Sequence, residues 1–67
     1  MNETMKRIEL WILVNELQNS IDRNSKKGIR IYSQKLENFV AKYGKMFDIP
    51  TLEYIHHMLK KAKSVIQ

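Results

Sequence analysis

Apolar residues recur along this chain at the three- and four-residue spacing of helices and nowhere alternate strictly with polar ones. The first such segment, from about Thr4 to Asn24, carries Leu10, Leu13, Val14, Leu17 and Ile21 in one stripe. Ile8, Trp11 and Ile12 widen that stripe beyond what one partner helix covers, so this helix is either clasped from two sides or used in a homodimer. The second segment, from about Arg30 to Met46, carries Tyr32, Leu36, Phe39, Val40 and Tyr43. The third runs to about Ile66, with Leu52, Ile55, Met58, Leu59, Ala62, Val65 and Ile66 on one side.

The punctuation between these stripes agrees with three helices and no strands. Asn2 or Thr4 suits the N-cap of the first helix, and Glu3 is favourable near its positive end. The connector Asn24-Ser25-Lys26-Lys27-Gly28 is short enough to make its flanking helices antiparallel neighbours. Its turn is expected to centre on or near Gly28, which takes a left-handed backbone without cost. The second helix starts near Arg30, or alternatively with Ser33 as its N-cap. Tyr43-Gly44-Lys45 loosens its end. Asp48 then caps the third helix, with Pro50 in the first turn, where a missing amide costs least. The expected fold is all-α: an antiparallel helical hairpin with a third C-terminal helix, in a single domain over residues 1–67, with dimerisation through the first helix left open.

Sixty-seven residues bury only a thin core, and with no cysteine there is no disulfide to reinforce it. The lack of cysteine also fits a cytoplasmic location. The apolar stretch Ile8 to Val14 contains Glu9 and is too short to span a bilayer, so no membrane association is expected. The net charge of +5 favours an acidic partner without choosing one.

The candidate chemistry is sparse. Adjacent helical residues point about 100° apart, so His56 and His57 do not share one metal, and no metal site is expected. Trp11 and Tyr54, set among aliphatic residues, read as core or interface anchors. Arg23, Lys26, Lys27 and Arg30 form a basic run around the connector, either a solvated turn or a surface that docks acidic groups. Ser33, Gln34 and Glu37 make a polar cluster beside the buried stripe of the second helix. Gln34, Lys35 and Asn38 also raise a helix-turn-helix reading, although the basic residues sit in the turn rather than along the helix.

At Ser33-Gln34-Lys35-Leu36-Glu37 the chain resembles the sporulation stage-zero E (Spo-zero-E-like) family of aspartyl-phosphate phosphatases. That family carries a Ser-Gln-x-Leu-Asp signature at the start of its second helix, followed by an apolar pair and a tyrosine. Phe39-Val40 and Tyr43 stand at those positions here, and the resemblance covers roughly residues 5–46. Two departures are plain. The acidic position holds Glu37, one methylene longer than Asp, and the chain continues into a third helical segment that the shortest members lack.

The resemblance implies a negative regulator of a phosphorelay that removes phosphate from the aspartate of a sporulation response regulator. The regulator supplies the magnesium ion and lysine that neutralise the phosphoryl group, so the phosphatase needs no cofactor of its own and has only to place a water in line. Gln34 or Glu37 is expected to orient that water, with Ser33 capping the helix or hydrogen-bonding nearby. Arg23, Lys26, Lys27, Arg30 and Leu36 are expected to engage the partner. A carboxylate near a phosphoryl group is repelled, so Glu37 needs a cationic neighbour or the regulator's bound metal. The alternatives are a non-enzymatic helical inhibitor that binds through the wide apolar first helix, and a small basic DNA-binding protein.

Overall fold

A computed structural model describes residues 3–66. It contains α1 (Glu3–Asp22), α2 (Lys26–Tyr43), a single 3₁₀ turn (Gly44–Met46) and α3 (Ile49–Ile66). The fold is all-α, as the periodicity requires, and measures 35 × 18 × 16 Å. Ser20 meets Gly28 at one end of α1 and α2, and Lys6 lies 4.3 Å over the Tyr43 ring at the other, so these helices run antiparallel along their whole length. Leu52 backs onto Gly44 while Lys63 reaches Glu37, which makes α3 antiparallel to α2 as well. Trp11 and Tyr54 bridge α1 to α3, with ring centroids 6.0 Å apart.

The corner between α1 and α2 differs from expectation. Asn24, not Gly28, is the left-handed residue, with φ of 56°. Its amide donates to the Ile21 carbonyl, and the Ser25 amide donates to that of Ser20. These two bonds form a Schellman motif, which satisfies carbonyls that the end of α1 leaves open. Asn tolerates the left-handed region because its short polar side chain is compatible with it. Ser25 then caps α2, its Oγ accepting from the Gly28 amide at 3.2 Å. The second helix therefore begins at Lys26 rather than near Arg30, and Ser33 is not its cap. The earlier start brings Ile29 into the buried stripe. Thr4 lies within α1 rather than at its cap, and Asn2 falls outside the described residues.

Gly28 is needed for space rather than for backbone freedom. A Cβ there would lie 2.5 Å from Ser20 Oγ and 3.1 Å from Ser20 Cβ. Its absence lets the first turn of α2 press against the last turns of α1.

The core is formed by Leu10, Val14 and Leu17 of α1, Ile29 and Leu36 of α2, and Ile55, Met58, Leu59 and Ala62 of α3. Leu13, Ile21, Tyr32, Phe39, Val40, Val65 and Ile66 pack around it. Phe47, in the connector before α3, also packs against the core, and its ring centroid lies 6.2 Å from that of Phe39. Asp48 caps α3 as expected, accepting from the Thr51 amide at 3.1 Å. No helix among the described residues is long and apolar enough to cross a membrane.

The outer face of α1 stays uncovered. Ile8 is 55% exposed and Ile12 54%, with Met5 beside them. The α2 and α3 helices clasp one side of α1 only, and its remaining apolar width faces outward.

Two predictions follow from the corner and the cap. Gly28→Ala gains up to about 1 kcal/mol in helix propensity but forces an overpacked contact costing about 1–3 kcal/mol. The net expectation is destabilisation, read as a lower midpoint in urea; a higher midpoint would refute the close approach. The Asp48 carboxyl is held below its ordinary value, first by the Thr51 hydroxyl, then by the Thr51 amide. Because the folded-state value is depressed, this contribution is present above the unfolded value of about 3.9 and is lost as pH falls through the folded one. An acid titration of stability should show a shallower loss below about pH 4 in Asp48→Ala than in the parent chain.

Candidate functional site

The helical register of α2 splits the polar cluster. Ser33 and Leu36 turn inward, whereas Gln34 and Glu37 stay on the accessible side. Leu36 has no exposed surface, so it is a core residue and offers nothing to a docking partner. Ser33 is 8% exposed, and its Oγ has no hydrogen-bond partner among the described residues. A buried hydroxyl without a partner costs about 1–3 kcal/mol. Ser33 therefore neither caps a helix nor presents its hydroxyl to solvent.

Gln34 is exposed, and its Nε2 donates to Asn38 Oδ1 one turn on, at 3.0 Å. Glu37 Oε2 lies 3.4 Å from Lys63 Nζ on α3, with the two side chains 38% and 62% exposed. So exposed a pair contributes little stability, and it places a cation beside the Glu37 carboxylate. Arg23, just past the end of α1, and Lys26, Lys27 and Arg30, in the first turns of α2, are all exposed. Lys26, Arg30, Gln34, Glu37 and Ala41 recur at four- and three-residue steps, so they share one side of α2.

On the α3 side this stripe borders a surface groove of about 400 Å³. Glu37, Val40 and Ala41 line it from α2, and His56, Leu59, Lys60 and Lys63 line it from α3. His56, Lys60 and Lys63 were missing from the residues singled out by sequence. Their spacing of four and three was the available signal, but it is also the spacing of any solvated helix face.

The other sequence candidates fall elsewhere. His57 is exposed and absent from the groove lining. Trp11 is 42% exposed and Tyr54 46%, so the pair is a bridge at the rim of α1 and α3 rather than a core contact. α1 and α2 pack against each other antiparallel, joined at the Asn24–Ser25 corner.

The chain matches no family model, no curated protein and no solved structure. The site must therefore be read from its own geometry. That geometry is an exposed amide and a paired carboxylate on one edge of α2, with cations from the start of α2 and from α3 on the same side.

Ser33→Ala removes a buried hydroxyl that makes no hydrogen bond and should raise stability by about 1 kcal/mol, measured by chemical denaturation. A fall in stability would mean that the hydroxyl has a partner in solution.

Proposed function

We propose that this protein is a phosphatase for the phosphoaspartate of a response regulator, acting in the cytoplasm as a negative regulator of sporulation-type phosphorelay signalling. The observation that carries the reading is the outward placement of Gln34 and Glu37 on one edge of α2, with Lys63 beside the Glu37 carboxylate. Gln34 is the better candidate to orient the water, because a neutral amide suffers no repulsion from the phosphoryl group. Glu37 enters the same pocket with its charge partly offset by Lys63. Arg23, Lys26, Lys27 and Arg30 steer the docking of an acidic regulator pocket. The regulator brings the magnesium ion. Ser33 and Leu36, buried in the core, set the register of α2 and make no contact with the substrate.

The second reading is a stoichiometric inhibitor that binds through α1. The exposed Ile8, Trp11 and Ile12 favour it, because three large apolar side chains on one helix form a ready contact surface.

The deciding assay follows phosphate loss from a phosphorylated sporulation response regulator, with this protein far below the regulator's concentration. Many turnovers per molecule are expected, with Gln34→Ala slower by on the order of 10²-fold and Glu37→Ala also impaired. Full turnover in both folded variants would reject the site. Decay no faster than the spontaneous rate would reject the enzyme reading for that regulator and leave the inhibitor reading in front.

A further inference from the structure

We infer that the groove between α2 and α3 is a docking site for an acidic amphipathic helix of a protein partner. The inference does not rest on the phosphatase reading, although Glu37 belongs to both surfaces.

Three features of the groove converge. Its volume is about 400 Å³, and it opens to solvent between two antiparallel helices that both line it. A third helix laid along such a seam completes the packing of a bundle, with one apolar side chain per turn facing inward. Val40, Ala41 and Leu59 give the lining an apolar component suited to those side chains.

Charge selects the occupant. Lys60 and Lys63 stand at the α3 side with His56, at steps of four and three residues, so they recur once per helical turn along the rim. Glu37 is the single carboxylate in the lining, and it already faces Lys63 at 3.4 Å. That contact is exposed and weak, so an incoming carboxylate can exchange with Glu37 for Lys63 at little cost. Among the described residues no acidic side chain forms an ion pair with Lys60. Lys26 and Arg30 extend the positive charge along the same side of α2. A helix with an apolar stripe flanked by Glu or Asp is complementary on both counts. A basic helix is repelled, and a purely acidic coil gains nothing from Val40, Ala41 and Leu59.

The experiment is calorimetric titration of the full chain with a synthetic helical peptide of about 14 residues, or four turns. It carries Leu at helical spacing with Glu on both flanks. Two controls have the same length: one with every Glu replaced by Lys, and an oligoglutamate. Two variants probe the two halves of the argument. Lys60→Glu with Lys63→Glu reverses the rim, and Ala41→Trp fills the floor from an exposed position; circular dichroism verifies that both keep their helix content. The Leu/Glu peptide is expected to bind one to one and to weaken at least about tenfold in each variant, or about 1.4 kcal/mol. Both controls are expected to bind at least about tenfold more weakly than the Leu/Glu peptide. Absence of binding at about millimolar peptide would overturn the inference. So would equal binding of either control, or binding that survives either variant. None of these readouts involves phosphate release, so the outcome is separate from that of the phosphatase assay.

Discussion

The close approach of Ser20 and Gly28 is the constraint from which the rest of the structure follows. A left-handed Asn24 ends α1, and Ser25 immediately begins α2, so two helices meet with almost no intervening chain. A Cβ at position 28 would press on the Ser20 side chain, so glycine there lets the first turn of α2 lie this close. With the corner closed this tightly, Ile29 enters the core and the whole face of α2 is set in rotation. That rotation buries Leu36 and Ser33 and turns Gln34 and Glu37 outward.

The third helix does more than cover the hairpin. Ile55, Met58, Leu59 and Ala62 complete a core that α1 and α2 alone leave open on one side. Small chains bury a limited fraction of their surface, and here no disulfide compensates. The same docking brings Lys63 to Glu37 and creates the groove between α2 and α3. α3 therefore carries an inward apolar stripe that completes the core and a flanking cationic one, with Leu59 both in the core and in the groove lining.

The unpartnered Ser33 hydroxyl and the exposed α1 face are the two places where local chemistry and packing disagree. A serine in a core position carries a desolvation cost that alanine would avoid. The Ile8 and Ile12 side chains leave apolar surface in water that a tighter fold would cover.

Helix number, type and most of the core were legible in the chain, because a 3.6-residue apolar period has few other realisations. Asp48 and Pro50 announced the start of α3, since capping and proline chemistry are local. The start of α2 was not legible. Gly28 read as a turn residue by its backbone freedom, while its actual role depends on Ser20 in the preceding helix, a contact that spacing alone does not reveal. The candidate site was half legible. The motif residues were visible as a cluster, but their division into inward Ser33 and Leu36 and outward Gln34 and Glu37 required the rotation of α2 against its neighbours. His56, Lys60 and Lys63 lie far along the chain from that motif. Only the antiparallel return of α3 along α2 brings them beside it, because pairing across a helical seam is decided by packing and not by local propensity.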